Sequence, residues 1–225
     1  MSATEPESPL LTSLGQLIDG RHSVRRFLPQ KISSEILEKS LALAQLTASN
    51  NNLQPWRAII LTGTPLEILK KALADAWREG WPNIPDTPHD YMHHKENFGA
   101  ELYGKLLDIG RDDHEKRQAA LAENFQFYGA QAAAIVYMDN RLSKYDLISS
   151  GFWMQNFTLA LRAQGVEACY MASVAGYPEL LQRELGLEGD VNFLSAIAIG
   201  YEDLSYVGNS LRMRRDPWTN NVEIR

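Results

Sequence analysis

Three arginines, a histidine and a serine fall within six residues, Arg21-His22-Ser23-Val24-Arg25-Arg26, near the start of an otherwise acidic chain. Guanidinium groups present forked donors that match phosphate oxygens, and the Ser23 hydroxyl adds a neutral donor without further charge. The stretch has the makings of an anion site, the alternative being a solvated basic turn after a helix. A second basic cluster, Arg212, Arg214 and Arg215, stands just before Pro217. Between the two clusters, Thr47 to Gln54 reads Thr-Ala-Ser-Asn-Asn-Asn-Leu-Gln. Its carboxamides carry both donors and acceptors and suit a heterocycle that does the same, although Asn-rich loops are more often plain turns.

The elements that must position these residues follow from apolar spacing. Leu10, Leu11, Leu14, Leu17 and Ile18 predict a helix that stops at Gly20, immediately before the first cluster, while Met1 to Pro9 is polar and expected to be mobile. Ser33-Ser34-Glu35 predicts the start of a second helix, buried through Ile36, Leu37, Leu41 and Ala44. A strand from Ala58 to Leu61 leads to a helix opened by Thr64-Pro65, with Leu66, Leu69, Leu73 and Trp77 inward. Gly80 to His89 is a loop, and Tyr91 to Phe127 reads as two helices joined near Gly110-Arg111-Asp112-Asp113. Then come a strand from Ala132 to Met138 and a long helix from Lys144 to Gln164, its buried stripe placed at Ile148, Phe152, Asn156, Leu159 and Ala163. Gly165 to Tyr177 reads as strand and loop, Pro178 opens a short helix, and Asn192 to Gly200 is an apolar strand.

The 225 residues suffice for one well-packed domain, and a net charge of −6 disfavours general binding to nucleic acid. The lone Cys169 lies in an apolar run and fits a reducing compartment. No apolar run approaches a membrane span and the first ten residues do not resemble a signal peptide, so a cytoplasmic protein is expected. His89 and His93 are four apart, but the glutamate of a zinc-binding H-E-x-x-H helix is missing and no metal is expected. Gly99 to Lys105 spells G-x-x-x-x-G-K, yet Leu106 stands where a magnesium-binding hydroxyl belongs and no strand precedes it. Neither a Ser-His-Asp arrangement nor a G-x-G-x-x-G fingerprint is present.

The order Arg-His-Ser-x-Arg, a helix, then Ser49 through Asn52 to Leu53-Gln54-Pro55-Trp56 leading into a strand resembles the start of the nitroreductase family of FMN-dependent enzymes. The phrase from Leu102-Tyr103-Gly104-Lys105 to Asp113, followed by Arg117 and Asn124 to Ala130, resembles its nitrobenzoate reductase branch. The resemblance implies an α+β fold with a mixed, mostly antiparallel sheet sandwiched by helices. It implies one domain over 1–225, a homodimer with FMN at the subunit interface, and a C-terminal tail from about residue 209 that crosses to the partner. As cofactor-binding residues it points to Arg21, His22, Ser23 and Arg25; to Asn50, Asn52 and Gln54; to Met171, Ala172 and Ser173; and to Arg212 and Arg215. Arg25 would stabilise negative charge on reduced flavin. Tyr103, Arg111, Phe125 and Phe127 are implied on the substrate side.

The activity implied is ping-pong transfer of hydride from NADPH or NADH through FMN to a nitroaromatic acceptor, quinones included, with the flavin and no protein nucleophile carrying the chemistry. An enone reductase or dehalogenase of the same superfamily, and a flavin-binding protein without turnover, remain as alternatives.

Overall fold

The N-terminal apolar periodicity does form a helix, α1 (Pro9–Gly20), in the computed structural model, which describes residues 8–225. The expected mobile start lies, for residues 1–7, outside the described residues, and Pro9 is already helical. The proline opens α1 where its missing N–H costs nothing, and the chain turns extended at Arg21. Helix α2 (Ser34–Ala44) is capped as its sequence predicts: the Ser33 hydroxyl accepts the Ile36 N–H at 3.3 Å and Glu35 sits in the first turn.

A 3-10 turn at Asn50–Asn52 precedes β1 (Arg57–Thr62), followed by α3 (Gly63–Glu79). Helix α4 (Met92–Gly99) continues into a π-helical turn at Ala100–Leu106, so the G-x-x-x-x-G-K run is helical. After α5 (His114–Ala122) and a 3-10 segment at Glu123–Gly129 come β2 (Ala132–Asp139), α6 (Lys144–Arg162), β3 (Glu167–Met171), α7 (Ala172–Ala175), α8 (Pro178–Glu184) and β4 (Val191–Gly200).

The sheet order is β1-β2-β4-β3, and all three pairings are antiparallel. The mixed character expected is therefore absent among the described residues. Along β2, Ala133 and Ile135 face one core while Ala132, Ala134 and Val136 face the other, and β4 alternates likewise with Ala196 and Ala198 against Ile197 and Ile199. On the first face lie α3 through Leu66, Leu69 and Leu73, the Glu123–Gly129 segment and Leu181 of α8. On the second lie α2 and α6. Burial of both faces explains why the strands read as continuous apolar runs.

Helix α6 corrects one expectation. The residues it buries are Trp153, Phe157 and Leu161, four apart, with Asp146, Ser149, Ser150, Thr158 and Ala160 beside them. Ile148 and Phe152 of the expected stripe are 51% and 53% exposed, and Asn156 and Ala163 are exposed as well. Apolar residues lie on more than one side of this helix, and the side bearing two stacked rings meets the sheet: Phe157 on Trp153 at 5.3 Å, and Trp153 in turn on Trp56 at 6.4 Å. Phe157→Ala should lower the free energy of unfolding by about 3–5 kcal/mol in urea titration, the cost of emptying a fully buried aromatic site. Phe152→Ala should cost far less.

Candidate functional site

The residues after α1 cross the end of the sheet and are held there by their backbone. Val24 N donates to Ala168 O of β3 at 3.3 Å, Phe27 N to Tyr128 O at 3.1 Å and Leu28 N to Tyr201 O at 2.8 Å. Phe27 packs on Gly200, where a Cβ would lie 2.8 Å from its ring, so only glycine permits this approach. With Val24 and Phe27 buried, Arg21, Ser23 and Arg25 are left half-buried on the outer side. His22 does not join them. Its Nδ1 lies 3.0 Å from Gly20 O and its Nε2 2.9 Å from Glu202 Oε1, so both ring nitrogens are engaged inside the protein.

One residue that the sequence did not single out joins the two basic clusters. The buried Asn209 accepts the Arg25 N–H through Oδ1 at 2.6 Å and donates from Nδ2 to Arg26 O at 2.9 Å and Asp203 O at 3.0 Å. Its own carbonyl accepts from Arg212 Nη1 at 2.8 Å. The clusters, 184 residues apart along the chain from Arg25 to Asn209, are thereby fixed to each other. Arg215 instead turns back on Met213 O at 2.9 Å and is exposed.

Charge is distributed unevenly over these arginines. Arg26 pairs with Glu123 at 3.9 Å and lies over the Tyr206 ring, and Arg162 pairs with Glu167. Among the described residues, Arg21, Arg25, Arg212 and Arg215 have no carboxylate within 4.0 Å. The Arg25 guanidinium donates to Ser23 O at 3.2 Å, is hydrogen-bonded to the Tyr128 hydroxyl, and rests over the Phe98 ring at 5.1 Å. Burial pushes the Cys169 thiol up; Arg25, the Ser23 hydroxyl and Arg21 counter it, which places all three around the thiol. Burial likewise raises the Glu167 carboxyl, opposed by Arg162, His22 and Arg212.

Met171, Ala172 and Ser173 lie at the far end of the same edge strand, where β3 runs into α7 rather than a loop. Met171 is buried, with its N–H donated to Ser195 Oγ at 3.3 Å. Ala172 is exposed, and the Ser173 hydroxyl reaches Asn124 Oδ1 at 3.4 Å, an oxygen that also accepts from Tyr128 at 2.8 Å.

The carboxamide loop is elsewhere. Asn51, Asn52 and Gln54 have φ of 47°, 56° and 47°, left-handed conformations that asparagine tolerates better than most residues. Asn50 is drawn to α6: its N–H donates to Ser149 Oγ at 3.3 Å, and its side chain helps hold the Asp146 carboxyl below the ordinary range, behind the larger effect of Ser143. Gln54 bonds to Asn52 O and Gln45, and Asn50 and Asn52 are both exposed. Ala168, beside Val24, shares its row with Ile199, Ala132 and Thr62, whereas the loop leads into Arg57 at the other end of the opposite edge strand. At about 4.8 Å per strand and 3.4 Å per residue, the two corners are roughly 20 Å apart.

On the expected substrate side, Tyr103 is half-buried with its ring edge-on to Phe98 at 6.4 Å and the Arg117 guanidinium 5.5 Å above it. Burial raises its hydroxyl pKa, countered by Arg25 and then Arg117. Arg111 is exposed on a turn. Phe125 and Phe127 are corrected to core residues, 2% and 0% exposed. The 3-10 segment that carries them packs beneath α3, with Phe125 between Trp77 at 5.0 Å and Tyr177 at 5.6 Å.

The arrangement is thus a corner of arginines without carboxylate partners among the described residues, beside the rings of Phe98 and Tyr103. The family model described as "Nitroreductase family" matches residues 18–201. The chain is 31% identical over 205 residues to a 4-nitrobenzoate reductase of Pseudomonas putida, covering 89% of this chain and 90% of that protein. It is 30% identical over 218 residues to a nitrobenzene nitroreductase of Ectopseudomonas oleovorans, covering 93% and 94% respectively. Its fold superposes on the FMN-dependent nitroreductase NfnB of Mycobacterium smegmatis, solved with NADPH, with a TM-score of 0.89 at 27% identity, over 96% of this chain and 99% of that one.

Asn209→Leu should release the Arg25 amide and the Arg26 and Asp203 carbonyls together. Each buried polar group left unpaired costs about 1–3 kcal/mol, so the variant should unfold at clearly lower urea, and the Arg25 amide should exchange hydrogen faster. An unchanged exchange rate there would remove Asn209 from the role described.

Proposed function

The chain belongs to the nitroreductase family, and on that premise we propose that it is an NAD(P)H-dependent FMN oxidoreductase that reduces nitroaromatic acceptors, and quinones, by a ping-pong mechanism. The observation that carries the assignment to this chain is the set of arginines without carboxylate partners, Arg21, Arg25 and Arg212, gathered at one corner of a protein whose net charge is −6. Cations left unneutralised in an acidic protein are the donor set that a phosphate monoester requires.

FMN, when bound, supplies the redox chemistry, accepting hydride from the nicotinamide and passing it to the acceptor. The chain's own residues bind and orient. Arg21, Ser23 and Arg212 hold the phosphate end, joined by Arg215 when the C-terminal segment is docked. Arg25, lying over Phe98, places positive charge where negative charge grows on reduction. Met171, Ala172 and Ser173 offer backbone along the same edge, and Tyr103 with Phe98 bounds the acceptor side.

A homodimer completes the site. The Asn52 and Gln54 corner is roughly 20 Å from the Arg21 corner within one chain, so a ligand touching both takes them from two copies. Leu10, Leu11, Leu14 and Ile18 of α1 and Ile148 and Phe152 of α6 are exposed, apolar surface that a second copy would cover. The tail, with Trp218, Val222 and Ile224 exposed, reaches that partner, and residues 1–225 act as a single FMN-binding domain. No described helix is long and apolar enough to cross a membrane. The buried free thiol of Cys169 fits the reducing cytoplasm as its place of work.

The purified protein should be yellow, a dimer by light scattering, and should oxidise NADPH or NADH when 4-nitrobenzoate is supplied. Arg21→Ala should weaken FMN by about 1.5–3 kcal/mol, the worth of a charged hydrogen bond, read by fluorescence titration. A colourless protein that stays inert with added FMN and both nicotinamides would overturn the proposal.

A further inference from the structure

Four side chains from three separate segments line up at the site: the Arg25 guanidinium 5.1 Å from the Phe98 ring, Phe98 6.4 Å from Tyr103, and Tyr103 5.5 Å from the Arg117 guanidinium. Arg25 belongs to the arginine corner already described. Arg117, the cation at the other end, has no role in it.

We propose that Arg117 recognises a carboxylate on the aromatic acceptor and so selects nitrobenzoates over neutral nitrobenzenes; this deepens, and rests on, the nitroreductase function above. Arg117 is held in place without being used up. Its Nε donates to Gly110 O at 2.9 Å and its guanidinium carbon lies 5.5 Å over the Tyr103 ring, while its two terminal nitrogens have no acceptor among the described residues. Those two nitrogens form the fork that matches a carboxylate in bidentate fashion. Among the described residues no carboxylate lies within 4.0 Å of Arg117, and Asp113, at the cap of its helix, is taken by Lys116 at 2.9 Å.

The geometry also suits the rest of such a molecule. Phe98 and Tyr103 offer apolar surface to a benzene ring between the two cations. A substrate bearing negative charge is repelled by a chain of net charge −6 unless a local cation receives it, and Arg117 is an unpaired cation on the acceptor side. Membership of the family leaves the choice open, since one relative is named for 4-nitrobenzoate and another for nitrobenzene.

The experiment compares the FMN-loaded protein with its Arg117→Gln and Arg117→Lys variants on 4-nitrobenzoate and methyl 4-nitrobenzoate. The ratio of kcat/KM for acid over ester should fall roughly ten- to a hundredfold in Arg117→Gln, mainly through KM, as loss of a charged hydrogen bond requires. Arg117→Lys should recover part of it. An equal fall for acid and ester would mean that Arg117 serves only to hold Gly110, and would overturn the proposal. So would a rise in KM confined to NADPH, which would assign the guanidinium to a dinucleotide phosphate. Calorimetric titration with benzoate, which needs no turnover, should show weaker binding to Arg117→Gln. Unchanged benzoate affinity refutes the role even if wild-type protein reduces neither nitro compound, a result that would separately remove the nitroreductase function.

Discussion

A single buried carboxamide holds the functional corner together. Asn209 has one acceptor oxygen and two amide hydrogens, and its surroundings present one N–H, of Arg25, and two carbonyls, of Arg26 and Asp203. The match is complete, and other side chains of the same size break it: aspartate supplies no donors and leucine supplies nothing. Because the Asn209 carbonyl receives Arg212, the same residue sets where the second cluster's first arginine stands relative to Arg25. The Arg25 backbone and the Arg212 guanidinium are thereby tied to one residue.

What was legible in the sequence and what was not divides along physical lines. Local rules worked. The Ser33 cap, the stop of α1 at Gly20 and the four strands depend on neighbours a few residues away, and each appears within a residue or two of its expected place. Questions of which face meets which failed. Helix α6 carries apolar residues on opposite sides, and nothing local says that Trp153 and Phe157 go to the sheet while Ile148 and Phe152 do not. Phe125 and Phe127 look the same in sequence whether they wall a ligand site or fill a core. Only the packing against Trp77 and Tyr177 decides.

The candidate site shows the same division. Arg21, Ser23, Arg25 and Arg212 were expected because a family pattern marks them; the first three act on the Cys169 thiol, and Arg212 is tied to Arg25 through Asn209. His22 lies inside the same pattern but its ring is spent on Gly20 and Glu202. Asn209 was missed because an asparagine in a short 3-10 turn gives no signal, and its partners Arg25 and Arg26 are 184 and 183 positions away. Arg117 stood within a recognised phrase without a role, since its approach to the Tyr103 ring spans a turn and two helical segments.

Covering both faces of a small sheet has a further consequence for where a ligand can go. With α3 and the Glu123–Gly129 segment on one side and α2 and α6 on the other, the strands offer no open face, only edges and ends. Edge strand β3 carries the arginine corner at one end and Met171 to Ser173 at the other, while edge strand β1 begins at the carboxamide loop. A long ligand with a phosphate at one end and a hydrogen-bonding ring at the other therefore meets half its partners along each edge. Within one chain the folded sheet keeps those edges apart. An isologous pairing of the kind proposed would set the β1 corner of each copy against the β3 corner of the other, and two-fold symmetry would then yield two equivalent sites. On that arrangement the exposed apolar residues of α1 and α6 would belong to the same design as the arginines, since their burial would drive the association that brings the two corners together.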